Sequence, residues 1–261
     1  MMGKNWKALK SIFEIEISRG TNFLLGLDFD GTLAPLRRRH DFSALPPRMR
    51  NLLGRLSLKR SLTIVIVSGR RLEDLKRRVR IPRIYYIGNH GMEILGPQGL
   101  WIHSRAPVWK HTLKSLVFPF HEVLKHFSGA YLENKGIAFS FHYRGLSREL
   151  SPYLLRRRLA DVLRPHRKLF RILSGKKVWE IRSREPWNKG KALLKLAGQI
   201  HGSRKIILVG DDISDEEGFR SLGNRGVTVR VGPMERTSAR FEFKSIKEVE
   251  TFLMFLDRLC H

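Results

Sequence analysis

The chain has 261 residues, 42% of them hydrophobic and 28% charged, the composition of a soluble globular protein with room for one large core or two modest ones. No apolar run approaches the ~20 residues that cross a bilayer, so a cytoplasmic protein with no membrane partner is expected. Fifty Lys and Arg against 24 Asp and Glu give a formal charge of +26, and the one cysteine, Cys260, excludes an internal disulfide and any cysteine-cluster metal site.

In chain order, the first segment places Trp6, Leu9, Phe13 and Ile17 at helical spacing, with Glu14 and Glu16 breaking any signal-peptide core. Continuous apolar runs at 23–29 (FLLGLDF), 62–68 (LTIVIVS), 205–211 (KIILVGD) and 226–232 (GVTVRVG) end in Gly, Ser or Asp. They suit strands buried on both faces of a parallel sheet. Helical patterns at 46–57, 70–79, 189–200 and 215–223 alternate with them. The alternation predicts an open α/β sheet, whose ligands bind beyond the carboxyl ends of its strands.

The middle of the chain differs. Residues 130–145 (AYLENKGIAFSFHYRG) alternate apolar and polar side chains, as antiparallel strands with one solvated face do. A helical pattern at 151–166 and a further strand at 176–183 follow. The expected organisation is an α/β core from 1–100 and 185–261, with a smaller α+β module, 101–184, inserted into it.

The basic residues are spread out, at Arg37 to Arg39, Arg77 to Arg80, Arg156 to Arg158 and Arg164 to Arg171, without a tail or a helix-turn-helix or zinc-finger pattern. A generally basic surface is expected, with salt-sensitive, nonspecific adhesion to nucleic acid. A dedicated nucleic-acid role on the same fold is the alternative that the charge supports.

Polar residues cluster at the predicted strand ends: Asp28 and Asp30 after the first, Ser68, Gly69 and Arg70 after the second, Asp211, Asp212 and Asp215 after a later one, with Lys189 opening a helix. Singly, each fits a helix cap or a solvated surface. Together they fit phosphoryl transfer. Carboxylates from two strand ends repel unless a divalent cation lies between them, and hard oxygen ligands suit Mg²⁺. An aspartate can attack phosphorus, and a second one two residues along an extended chain points to the same side, where it can protonate a leaving alcohol and then activate water. Ser68 and Lys189 supply donors for phosphoryl oxygens.

In order, DFDGTLAPL, VSGR, NKGKAL and GDDISDEEGF resemble the four motifs of haloacid dehalogenase phosphohydrolases. GNHGMEI (88–94), LENKGIAFSFHYRG (132–145) and KKVWEIR (176–182) further resemble signatures of the trehalose-6-phosphate phosphatases. The resemblance implies a Rossmann-like core with an inserted cap whose closing excludes bulk water, and a Mg²⁺-dependent hydrolysis of trehalose 6-phosphate through an aspartyl-phosphate. By position it makes Asp28 the nucleophile and Asp30 the general acid and base, and puts Mg²⁺ on Asp28, the Asp30 carbonyl and Asp211. Asp212 and Asp215 would lie in or near the next shell, and Ser68 and Lys189 on the phosphoryl oxygens. Glu133, Lys135 and Glu180 match positions that bind sugar hydroxyls, and Arg70 and Asn89 are further substrate candidates. His90 reads as a turn residue; His142 and Arg144 read as packed or ion-paired in the cap. Ser214 stands where this branch usually has Thr and keeps the hydroxyl, whereas Ser183 stands where proline is common and bears on sugar choice. A sucrose- or glucosylglycerate-type sugar phosphate is the alternative substrate.

Overall fold

The computed structural model describes residues 4–36, 43–175, 177–202, 204–233 and 236–260; the basic run Arg37–Arg39 lies outside the described residues. The chain divides into two compact units, one of residues 1–101 and 187–261 and the other of 102–186.

The first unit begins α1 (Lys4–Ser18), β1 (Asn22–Asp28), α2 (Pro47–Leu56), β2 (Leu62–Val67), α3 (Leu72–Val79), β3 (Tyr85–Gly88), β4 (Glu93–Gly96) and β5 (Gly99–Ile102). After the second unit, made of α4 (Ala106–Leu124), β6 (Tyr131–Asn134), β7 (Phe139–His142), α5 (Pro152–Leu163), β8 (Phe170–Gly175) and β9 (Val178–Ser183), the chain resumes the first. It does so with α6 (Lys189–Gln199), β10 (Arg204–Gly210), α7 (Ile213–Leu222), β11 (Gly226–Val231), β12 (Phe241–Phe243) and α8 (Ile246–Leu259).

Among the described residues, the first unit holds an eight-stranded sheet ordered β12-β11-β10-β1-β2-β3-β4-β5. The run from β12 to β3 is parallel, and β4 joins β3 antiparallel. Alternate side chains of the central strands fill two cores, which explains their unbroken apolar sequences. Leu25 and Leu27 of β1, Ile66 of β2 and Val209 of β10 pack with Leu9 and Phe13 of α1, Leu52 and Leu53 of α2, Leu75 of α3 and Phe252 of α8. Leu24, Val67 and Leu208 face the opposite layer, with Leu193 and Leu196 of α6 and Phe219 and Leu222 of α7. Within the first core Trp6 meets Phe252 edge-on, with ring centroids 6.1 Å apart, and Phe13 lies against Phe23. These contacts account for the helical spacing of the first segment.

The chain winds outward from β1 through β2 to β3, then returns on the other side of β1 as β10. This reversal makes the carboxyl ends of β1 and β10 the switch point, where an open α/β sheet leaves a crevice for ligands.

The second unit holds a four-stranded antiparallel sheet ordered β6-β7-β9-β8. One of its faces packs on helices: Phe139 and Phe141 of β7 meet Phe120 of α4 at 5.7 and 4.9 Å between centroids. Leu155 and Leu159 of α5 are fully buried. Strand alternation sends Glu133, Ser140 and Glu180 to the other face, in one cross-strand row.

Candidate active site

Asp28 is the last residue of β1 and is 4% exposed. Beyond it the backbone closes a turn in which Leu33 and Ala34 donate their N–H groups to Phe29 O, and Gly31 donates to Ala34 O. Gly31 has φ +89°, and a Cβ there would lie 2.1 Å from the Asp211 carboxylate. Only glycine both adopts that conformation easily and lets Asp211 approach so closely. Thr32 donates its hydroxyl to Asp211 Oδ1 at 3.3 Å, tying the turn after β1 to the residue after β10.

Lys189 opens α6, a helix capped by Asn188 Oδ1 on the Lys191 N–H. Its Nζ donates to Asp28 Oδ1 at 2.6 Å and to Asp215 Oδ1 at 2.8 Å. Asp215, fully buried in the first turn of α7, accepts the Asp211 and Asp212 N–H groups on its other oxygen, at 3.1 and 3.0 Å. Both Asp215 oxygens therefore hold donors that fix Lys189 and the loop after β10.

The electrostatics follow from burial. Desolvation pushes the Asp28 carboxyl well above its ordinary range, with the Lys189 ammonium opposing and the Asp215 and Asp211 charges adding to the push. Burial, with Asp215 and Asp212 next in size, raises Asp211 to about 7. Burial alone would lower Lys189, but Asp215 and Asp28 more than reverse it and hold the ammonium charged. Asp28, Asp211 and Asp215 each offer a carboxylate oxygen, all within 4.8 Å of one another. Three carboxylates against one ammonium leave an ionised cluster anionic, and hard oxygens so arranged fit a small divalent cation. Asp212, exposed at the start of α7, lies outside this cluster, and its carbonyl accepts from Arg230 at 3.2 Å.

Ser68, 2% exposed, donates its N–H to Ile87 O and accepts the Arg70 N–H on its hydroxyl oxygen at 3.2 Å. Arg70, also 2% exposed, grips both oxygens of Asp30 at 2.6 and 2.7 Å and donates its remaining Nη to Asp74 at 2.9 Å. Asn89 donates its side-chain N–H to Glu93 at 2.8 Å. Asn89 and His90 both take left-handed backbone, φ +48° and +57°, and their N–H groups hold Arg70 O and Ser68 O. The turn that carries them thus braces the backbone of Ser68 and Arg70.

Glu133, Lys135 and Glu180 come together in the second unit. Lys135 Nζ lies 3.3 Å from Glu180 and 3.9 Å from Glu133; Ser140 donates to Glu180 at 3.2 Å. His142 meets the Glu133 carboxylate at 2.9 Å and stacks on Tyr131, with centroids 4.7 Å apart. Arg144 is exposed.

Sequence reasoning gave no role to Thr32 or Glu216. Thr32 stands inside the first motif, so its signal was present. Glu216 is 3% exposed and accepts from the Thr237 hydroxyl and the Ser238 N–H, both at 2.7 Å, and nothing in the sequence near it marks that contact.

A trehalose-phosphatase family profile matches residues 26–248. A probable trehalose-phosphate phosphatase D of Arabidopsis thaliana is 32% identical over 98% of this chain and 73% of its own length. The C-terminal domain of a C. albicans trehalose-6-phosphate phosphatase superposes with a TM-score of 0.80, at 20% identity, over 96% of each chain. A haloacid dehalogenase-like hydrolase from Bacteroides thetaiotaomicron shares the fold at a TM-score of 0.65 and 15% identity, over 92% of this chain and all of that one. Between its own buried carboxylate–lysine cluster and these likenesses, the chain belongs to the trehalose-phosphatase family of haloacid dehalogenase-fold phosphohydrolases.

Proposed function

We propose that the protein is a Mg²⁺-dependent phosphatase that hydrolyses trehalose 6-phosphate to trehalose and inorganic phosphate. The observation that carries the reading is the Lys189 ammonium bridging Asp28 and Asp215 at the switch point of the sheet, in a chain of this family.

In this reading an Asp28 oxygen attacks phosphorus; an O–P bond forms and the bond from phosphorus to the sugar oxygen breaks. Asp30 gives that oxygen a proton. Asp30 then takes a proton from water as the water attacks the aspartyl-phosphate, restoring Asp28 and releasing phosphate. Arg70 holds both Asp30 oxygens, so one of those bonds must loosen before Asp30 carries a proton. We therefore assign Arg70 the positioning of Asp30. Ser68 already accepts on its oxygen, which leaves its own proton for a phosphoryl oxygen, and Lys189 offers a charged donor beside the nucleophile. Asp28, Asp211 and the Asp30 carbonyl would hold Mg²⁺, with Asp215 orienting Lys189. Bound there, the ion neutralises the carboxylates and draws charge from the phosphoryl oxygens.

Glu133, Lys135 and Glu180 would bind sugar hydroxyls, which makes the second unit the cap that selects the disaccharide. No helix among the described residues is long and apolar enough to cross a membrane. Cytoplasmic residence, and nonspecific nucleic-acid adhesion driven by the +26 charge, belong to the proposal.

The test is phosphate release with and without Mg²⁺, on trehalose 6-phosphate beside glucose 6-phosphate, sucrose 6-phosphate and an aryl phosphate. Metal-dependent turnover that prefers trehalose 6-phosphate is expected. Metal-dependent turnover of another sugar phosphate would keep the chemistry and discard the substrate. A folded protein inert toward all of them would overturn the reading.

A further inference from the structure

The second unit carries a cavity of about 290 Å³, built from residues that take no part in the carboxylate cluster. Three cations line it: Arg105, Lys168 and Arg184, with Glu185 as the one carboxylate. Arg105 Nη1 donates to Glu185 Oε2 at 2.9 Å, so that pair is internally neutral. Lys168 is exposed and has no hydrogen-bond or ion-pair partner among the described residues. Arg184 uses its Nε on Arg167 O and Phe170 O, at 2.7 and 3.2 Å. That anchors the guanidinium at its Nε, while no described residue accepts from its Nη groups. Once the Arg105–Glu185 pair is set aside, Lys168 and Arg184 remain in the lining without an ion-pair partner among the described residues. The start of α4, at Ala106 with no side-chain cap, adds a positive end of a helix dipole nearby.

The rest of the lining is apolar. Trp109, 2% exposed, is held by a stacked His103 ring with centroids 5.1 Å apart, and His103 Nδ1 accepts the Arg105 N–H at 3.3 Å. Leu169 and Pro186 complete the lining. An anchored guanidinium recognises a phosphoryl group through two parallel hydrogen bonds, and a lysine completes the charge. The volume lies at the lower end of small-ligand pockets and exceeds what a bare phosphate fills.

We propose that this cavity binds a small dianionic phosphate monoester, its phosphoryl group on Arg184 and Lys168 and its flat or apolar body toward Trp109 and Leu169. The site does not depend on the catalytic reading.

Phenylphosphonate, a dianion above neutral pH with a bond phosphatases do not cleave, is the probe. Titrated calorimetrically into the full chain in 150 mM salt, it should bind the cavity besides any binding at the catalytic centre. Lys168→Glu should weaken the cavity event at least tenfold, leaving unchanged both the thermal midpoint and the phosphonate's inhibition of aryl-phosphate hydrolysis. Arg105→Glu, at a side chain 58% exposed, serves as a second variant. Lys125→Glu, the same charge change elsewhere on this unit, should leave binding intact. Benzenesulfonate, a monoanion with the same ring, should bind at least tenfold more weakly. The proposal is overturned if Lys168→Glu leaves binding unchanged, if Lys125→Glu weakens it equally, or if the monoanion binds as well. Because the readout is binding, an enzyme inactive on every sugar phosphate would sink the catalytic reading and leave this result standing.

Discussion

Asp28 sits where the sheet's hydrogen bonding ends and Lys189 begins, and their 2.6 Å contact sets what each can do. The ammonium opposes the burial and the neighbouring Asp215 and Asp211 charges that push the Asp28 carboxyl up. Asp28→Asn preserves shape and should leave the circular dichroism spectrum unchanged, while lowering phosphate release by at least about 10³-fold; a folded variant with wild-type turnover would refute the nucleophile assignment. At Asp30 the deciding contact is the two-pronged grip of Arg70. Arg70→Lys keeps the charge but cannot reach both oxygens. Turnover should fall about 10- to 100-fold with little change in KM, and the pH profile of kcat should shift; an equal loss at every pH, with a raised KM, would mean that Arg70 acts on the substrate instead. The motif spacing made both aspartates legible. It could not reveal that Arg70 points at Asp30, because that contact joins residues forty positions apart and depends on the register of β1 with β2.

At the scale of elements, α3 is the support for that grip. Asp74 in its first turn accepts Arg70, Arg77 and Arg78 at 2.9, 2.8 and 2.7 Å. Burial pushes the Asp74 carboxyl up, but the hydrogen bonds from Arg78, Arg77 and Arg70 outweigh it and hold the group well below the usual carboxylate range. A folded value lower than the unfolded one, about 3.9, means stability that is fully present above pH 4 and is lost as pH falls toward the folded value. Asp74→Asn should therefore lower the melting temperature at pH 7 by a few degrees, about 1 kcal/mol after discounting its partly solvated edge. The gap from wild type should narrow below pH 4, and a gap constant from pH 7 to pH 3 would contradict the assigned charge. The parallel strands were readable because burial on both faces writes an unbroken apolar run. Helix α4 is not legible in the sequence, although Trp109, Leu113, Leu116 and Phe120 lie on its buried side, since Pro119 inside the pattern argues for a break. Strand β8, with Arg171 and Ser174 between apolar residues, is too short and mixed to stand apart from the basic stretch around it. Helix α8 buries Val249, Phe252, Leu253 and Leu256 at helical spacing, so its pattern is present in the sequence.

For the whole molecule, one compact unit is inserted into another, and the candidate residues divide between them. Every candidate for phosphoryl chemistry, from Asp28 to Asp215, lies in the unit of residues 1–101 and 187–261, and Glu133, Lys135 and Glu180 lie in the unit of 102–186. In the sequence, the second unit differs from the first by alternating rather than unbroken apolar patterns. That pattern does not show that the three residues share one network, because Glu180 reaches Lys135 and Ser140 only through pairing of β9 with β7. If those residues read the sugar, a substrate without a second glucose should not feel their loss. Glu180→Gln keeps the side-chain shape and a partner for Lys135, whose side chain is only 6% exposed. It should reduce kcat/KM for trehalose 6-phosphate by about 10²-fold, since a site built for hydroxyls loses most when a charged acceptor is neutralised. On an aryl phosphate the same variant should stay within about threefold of wild type, because nothing in its ring answers to Glu180. Parallel losses on both substrates, with a lowered melting temperature, would instead make Glu180 a strut of the antiparallel sheet and return sugar recognition to other residues of the unit.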